Sequence, residues 1–288
     1  SWTVPFPQGI GLSLRVLSFT NYIRYRGGLN RREEGTHPMP TRREFLKSSL
    51  LAGVYFVTAG APRRASAAEG PTGLFHFPQG VASGDPRPDS VVFWTRVESI
   101  EPCSDPIDIT LEVSETDDFK TLAVEVPVHA NELTDHTVRV IVDGLKPDTA
   151  YYYRFRASND YSKPLGRTRT APAFDADREV RLAFVSCQNY EQGFFGAWDR
   201  MVTEDQNAAA DEQIDFVVHL GDFIYEYILF HDAKPEDPYP KGNLVSRDGT
   251  RRALPPFPHG AKQPNGRPYA NTVDDYRHLY KTYLSDPA

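Results

Sequence analysis

The chain has 288 residues, of which 40% are apolar and 12% aromatic, and a net charge of −7. That length suits one large or two ordinary domains, and the acidic balance speaks against nucleic acid, whose backbone is bound by clustered Lys and Arg. The two cysteines, Cys103 and Cys187, exclude a disulfide framework, and the 24 Pro and 20 Gly point away from a helical bundle. No run reaches the roughly 18 consecutive apolar residues of a membrane-spanning helix, so no transmembrane anchor is expected.

In chain order, the first pattern is "TRREFLK" at residues 41–47: a polar residue, two arginines, any residue, then Phe, Leu and Lys. This is the twin-arginine export pattern. Behind it run the apolar "SSLLAGVYFVTAGA" and then "ASA" at 65–67, a small-x-small cleavage site. Basic, apolar, small is the order of an export signal. A basic surface turn would not require all three in sequence. Met39 lies two residues ahead of the motif and suits a natural start. Residues 1–67 are therefore read as an upstream segment plus a signal peptide and kept out of the fold. The expected partner is the twin-arginine export machinery, and the expected location is periplasmic or extracellular. That route carries folded proteins, commonly because a cofactor is inserted first, so the signal itself points toward a metal site.

Residues 75–172 carry only β signals. "DSVVFWTRV", "IDITLEVSE", "TLAVEVPVHA", "HTVRVIVDGL" and "TAYYYRFRA" are short runs rich in β-branched and aromatic residues, divided by turn residues. Such spacing predicts a sandwich. "LKPDTAYYYRF" resembles the fibronectin type III pattern, in which a tyrosine hydrogen-bonds across a corner. The expectation is an all-β fibronectin III/Ig-like sandwich without catalysis. "TRTAPAFDADRE", 168–179, reads as the linker.

From 178 to 288 the pattern changes. "VRLAFVSCQ" and "IDFVVHLGD" are continuous apolar strands without alternation. Between them, residues 194–210 place Phe194, Phe195, Trp198, Met201 and Val202 at helical spacing. Strand, helix, strand of this kind is a βαβ unit with fully buried parallel strands. Both strands carry polar residues at the carboxyl end, where ligands bind in such sheets. Residues 231–268 form a long irregular segment, and connections of that length are commonly functional. "VDDYRHLYKTYLSDP" then reads as a helix with a seam of Val273, Tyr276, Tyr280 and Tyr283, and with Asp274 and Asp275 favourable at its start.

The chemistry concentrates at the two strand ends. Gly221 lets the backbone turn, so that Asp222 projects over the sheet edge, and Cys187 ends the neighbouring strand in the same way. Adjacent strands lie about 4.8 Å apart, close enough for both side chains to meet one ion. Tyr225, three residues on, can curl back. Phenolate suits Fe(III), thiolate suits zinc, and a carboxylate can bridge two metals. Each residue also has a plainer reading. Cys187 can be a buried apolar cysteine, Asp222 a turn residue or helix cap, and Tyr225 a packing residue. Glu226 reads as solvent-exposed, Tyr227 as packing, His219 as a strand histidine and Asp85 as a turn residue. Arg251 and Arg252 read as solvated, with a phosphate clamp as the alternative.

"SCQ" at one strand end and "HLGDFIYEY" at the next resemble the alkaline phosphatase D (PhoD-like) family of metallophosphoesterases. "FPQGVASGDPRPDSVVFWTRV" is similar to the opening of that family's N-terminal domain, and "TVDDYRHLYKTYLSDP" to a later helix. The resemblance runs from Phe75 to Ala288. It implies a calcineurin-like α/β metallophosphoesterase domain after the sandwich. It implies phosphate-ester hydrolysis by a metal-bound hydroxide, with Fe(III) and Ca2+ ahead of Zn2+ or Mn2+. It implies Cys187 as an iron ligand, Asp222 as the bridging carboxylate and Tyr225 as the phenolate ligand, with Asp222 and Cys187 essential to catalysis. The family's downstream Asp-Asp-His-Glu stretch and later ligands are not in this sequence. The resemblance therefore covers an N-terminal portion, a truncated α/β domain expected to be inactive alone. The alternatives are a phosphodiesterase of the same fold directed at lipids or wall polymers, and a non-catalytic exported binding module.

Overall fold

The computed structural model describes residues 12–14, 53–65, 70–103, 105–229 and 252–288, the first of these by backbone alone. Its principal strands are β1 (Leu12–Leu14), β2 (Val54–Thr58), β3 (Val81–Gly84), β4 (Val91–Arg96), β5 (Ile107–Ser114), β6 (Val124–Ala130), β7 (Thr137–Asp143), β8 (Ala150–Ala157), β9 (Gly166–Arg169) and β10 (Val180–Val185). Helix α1 (Gly196–Asn207), strand β11 (Phe216–His219) and helix α2 (Val273–Leu284) complete the series.

Two sheets share one core. The first runs β6-β5-β8, with β9 and the short strand Asp160–Tyr161 both paired to β8; the second runs β2-β7-β4-β3. Alternation decides which side chains face inward. On β7, Val138, Val140 and Val142 are fully buried while Arg139 and Asp143 are exposed. On β5, Ile107, Ile109, Leu111 and Val113 point the same way. Phe93 meets Tyr153 edge-on at 4.8 Å between ring centroids. A Cβ at Gly166 would run into that same Tyr153 ring, which explains the glycine. Full burial of such side chains contributes about 1.5–3 kcal/mol each. The expected corner bond is present: the Lys146 N–H donates to the Tyr151 hydroxyl at 3.0 Å.

Residues 1–67 do not stand wholly apart from the fold. Val54–Thr58, inside the apolar stretch expected to be a leader, lies parallel to β7 from Arg139 to Asp143. The Tyr55 hydroxyl donates to the His129 carbonyl and accepts from the His129 N–H, both at 2.8 Å. The reason is compositional: "VYFVT" is as good a strand former as it is an apolar leader. Leu12–Leu14 likewise pairs parallel to Val180–Leu182.

β10 and β11 are parallel, with Val185 opposite His219, and α1 is their crossover. The expectation of full burial is not met. Ala183 is the one buried residue of the two strands, and Phe216 and Val217 remain 37% and 38% exposed. The described residues simply leave part of these faces uncovered. α1 starts at Gly196 rather than at 194, because Phe195 adopts a left-handed φ of 45° and ends the turn before it. α2 opens on a capping box, with Thr272 and Asp275 satisfying each other's backbone N–H. Its buried seam is Leu279 and Tyr283; Val273, Tyr276 and Tyr280 are exposed, so the helix is rotated from the expected seam.

The linker is stapled at both ends. Arg178 pairs with Asp148 at 2.7 Å and with Asp215 at 2.8 Å, and Arg169 reaches the same two carboxylates at 2.9 and 3.6 Å. On the other side of the molecule, Lys281 of α2 meets Asp135 at 3.3 Å, and Arg277 donates to the Leu133 carbonyl at 3.2 Å.

Candidate metal centre

The parallel ladder does not stop where the regular strands do. Leu220 N donates to Val185 O at 2.8 Å, Cys187 N to Gly221 O at 3.1 Å and Gln188 N to Asp222 O at 3.1 Å. To keep that pairing while turning off the sheet, both strand ends enter the left-handed region. Cys187 has φ 61°, Asp222 φ 53° and Gly221 φ 129°. Glycine takes such a φ freely; for Cys and Asp it costs on the order of 1 kcal/mol or more each. Strain of this kind gathers at functional sites.

The turn brings together the three side chains singled out by the sequence. The Cys187 thiol donates to Asp222 Oδ2 at 3.3 Å, and the Tyr225 hydroxyl donates to the same oxygen at 3.0 Å. Tyr225 is held from behind, its N–H donating to the Tyr283 hydroxyl of α2 at 3.4 Å. Burial, reinforced by Asp222 accepting its proton and by Cys187 beside it, pushes the Tyr225 phenol well above its ordinary value. Two protons thus converge on one carboxylate oxygen. When those protons leave, a thiolate, a carboxylate and a phenolate face each other, a set that needs a cation for balance. The donor chemistry therefore suits a metal cation. Among the described residues there is no cluster of three or more His, Cys, Asp or Glu; this set counts two of those plus a tyrosine.

The remaining sequence candidates fall elsewhere. His219 accepts the Gly221 N–H on Nδ1 at 3.3 Å, and its ring stacks on Trp198 and meets Phe223 edge-on. Burial pushes its pKa below the ordinary value, against the opposing pull of Asp222. Glu226 is exposed and Tyr227 packs edge-on against Tyr225. Asp85, at a left-handed turn, pairs with Arg87. Arg252 is neither solvated nor free to clamp a phosphate. It is buried, pairs with Asp286 at 2.6 Å and lies 4.0 Å over the Tyr190 ring. Arg251 lies outside the described residues.

Sequence reasoning missed Gln188. Its side chain donates to the Phe223 carbonyl at 3.0 Å and accepts from the Trp198 indole N–H at 2.8 Å. A groove of about 760 Å³ opens beside Phe223, between Trp94 and Arg139 of the second sheet and Tyr276, Tyr280 and Lys281 of α2. None of the three donors lines it.

Two sheets on one core followed by a βαβ unit define a two-part chain, with Cys187, Asp222 and Tyr225 gathered at the carboxyl edge of the second part. The family model for the PhoD-like phosphatase N-terminal domain matches residues 63–172, and the PhoD-like phosphatase model matches 182–288. The chain belongs to the PhoD-like phosphatase family. It is 34% identical over 223 residues to alkaline phosphatase D of Bacillus subtilis (strain 168), covering 74% of this chain and 32% of that protein. A solved structure of PhoD superposes with a TM-score of 0.56 at 33% identity, over 74% of this chain and 36% of that one. The chain thus spans about a third of the length of these relatives.

Proposed function

We propose that the chain is the N-terminal part of an exported phosphoric ester hydrolase. Its first part is a fibronectin-like sandwich and its second the opening βαβ unit of a calcineurin-like domain. The observation that carries this reading is the convergence of Cys187 and Tyr225 on one oxygen of Asp222 at the carboxyl edge of a parallel pair. Membership of the family supports phosphate esters as substrates. Cys187, Asp222 and Tyr225 would hold the metal, with Fe(III) suited to the phenolate and Ca2+ to the carboxylate. When bound, such ions supply Lewis acidity at a phosphoryl oxygen. The chain's own residues fix where that happens, through the paired strand ends. The twin-arginine pattern supports export to the periplasm or beyond, and net charge supports a small ester rather than nucleic acid as the ligand.

The test uses the gene's complete product, loaded with Fe(III) and Ca2+ and assayed on p-nitrophenyl phosphate and bis-p-nitrophenyl phosphate. Cys187→Ala and Asp222→Asn are each expected to lower kcat by at least about 100-fold, since either removes a metal donor. Wild-type turnover in either variant sinks the ligand assignment. The two substrates separate a monoesterase from a diesterase.

A further inference from the structure

Holding Cys187 and Asp222 side by side requires two non-glycine residues to stay at positive φ at once. The backbone ladder alone reaches only as far as the Gln188 N–H and the Asp222 carbonyl. Beyond that pair the main chains diverge, and the next carbonyl, that of Phe223, has to be met by something else. The Gln188 side-chain amide meets it at 3.0 Å and so extends the ladder by one rung. Its own orientation is set from the other side, because the Trp198 indole N–H donates to its carbonyl oxygen at 2.8 Å. Donor and acceptor ends of the amide are thus both committed. Trp198 is in turn stacked on His219 at 6.2 Å between centroids, and His219 accepts the Gly221 N–H. The result is a closed loop of contacts: Gln188 to Phe223, Phe223 to His219, His219 to Trp198, and Trp198 back to Gln188. The turn carrying Gly221 and Asp222 joins two members of that loop, His219 and Phe223, and its Gly221 N–H donates to His219.

We propose that Gln188 is a positioning residue for the metal centre: its amide, oriented by Trp198, locks the Asp222 turn against the Cys187 strand end so that thiolate and carboxylate share one cation. Gln188 touches no reacting atom. It acts through the backbone of Phe223 and Asp222. The inference rests on the metal-centre reading above and adds to it a residue and a mode of action. A hydrogen-bonded neighbour that orients a metal ligand commonly changes affinity by about 10–100-fold when removed.

The test is a Co2+ titration of the gene's complete product, with Cys187→Ala as the control that assigns the thiolate band. The near-ultraviolet thiolate-to-cobalt band reports the Cys187–metal bond directly, independent of turnover. The parent is expected to bind Co2+ with that band. Gln188→Leu, which loses both side-chain bonds, is expected to bind at least about tenfold more weakly with a diminished band, in a protein that still unfolds cooperatively. Gln188→Glu keeps the acceptor for Trp198 and loses the donor to Phe223, and should fall between the two. Should Gln188→Leu fail to fold, Trp198→Phe decides: it keeps a stacking ring, loses the N–H, and is expected to weaken Co2+ several-fold. Parent-like affinity and band in Gln188→Leu, or in Trp198→Phe where Leu is not folded, overturns the inference and leaves the metal centre standing. A parent that binds no Co2+ overturns both.

Discussion

At the scale of single residues, the site was legible where chemistry alone marks it. An aspartate after a glycine at the end of an apolar run, a cysteine in the matching place and a tyrosine three residues on are each odd enough to notice. The structure brings all three to one oxygen. Gln188 and Trp198 were not legible, because a hydrogen bond across a turn leaves no periodicity and no spacing rule. Asp160 is a second case of this kind. Its carboxylate accepts three consecutive N–H groups, from Gly73 at 2.7 Å, Leu74 at 2.8 Å and Phe75 at 2.9 Å. Burial pushes its pKa up, but those three donors outweigh it and hold the carboxyl below the usual value. A depressed native pKa means stability that is present above the unfolded value near 4 and lost as pH falls through the native one. Asp160→Asn should therefore melt below wild type at pH 7, and the two melting curves should converge as pH falls through the depressed native value. Circular dichroism across that range checks it; a gap that persists undiminished in acid contradicts the ionic account.

At the scale of elements, alternating strands were legible and continuous ones only half so. β7 and β8 alternate because one face meets the shared core, and their burial follows the sequence; on β5 the other face is covered too, with Glu112 buried beneath Arg154 and Arg156 and Ser114 beside it. β10 and β11 read as strands for their composition, but burial on both faces cannot be inferred from composition alone. The leader shows the same ambiguity more sharply. "VYFVT" pairs with β7 along five residues, yet none of its side chains is among the fully buried members of the core. Tyr55, Val57 and Ala59 only pack against that core from outside. The strand it covers would end in an edge guarded by exposed Arg139 and Asp143, as free edges commonly are. The chain from residue 68 onward is thus expected to unfold cooperatively with its core intact. The Arg139 amide, which donates to the Gly53 carbonyl at 2.7 Å in the full chain, should exchange much faster in the shortened one. Thermal melting and amide exchange on both lengths check this. Loss of cooperative unfolding would show that residues 53–65 are an integral strand, not a removable leader.

At the scale of the whole molecule, the question is what makes two parts behave as one. The linker read as a plain polar connection, since nothing in "TRTAPAFDADRE" says which carboxylates its arginines will find. In the folded chain, Arg169 and Arg178 bracket it and both reach Asp148 of the first part and Asp215 at the entry to β11. Asp215 is the hinge of this network. It pairs with Arg178 by two bonds, accepts the Arg181 N–H at 2.8 Å, and keeps only 10% of its side chain exposed. Its hydrogen bonds to Arg178 raise that guanidinium above its ordinary value despite burial. Asp215→Ala leaves Arg178 with Asp148 as its remaining partner and the Arg181 N–H without its acceptor, which costs about 1–3 kcal/mol. Asp215→Ala should place most of that loss in the βαβ part and the linker, since among the described residues its one contact with the two sheets is the 3.6 Å pair with Arg169 at the end of β9. Calorimetry is then expected to resolve two transitions where wild type shows one, the upper matching the two-sheet part. The contacts of α2 with Asp135 and Leu133, and of Arg167 with Asp205 and Gln213, remain in the variant, but as part-exposed pairs they contribute little. A single transition, lowered as a whole, would mean instead that the groove beside Phe223 couples the two parts more strongly than the linker does.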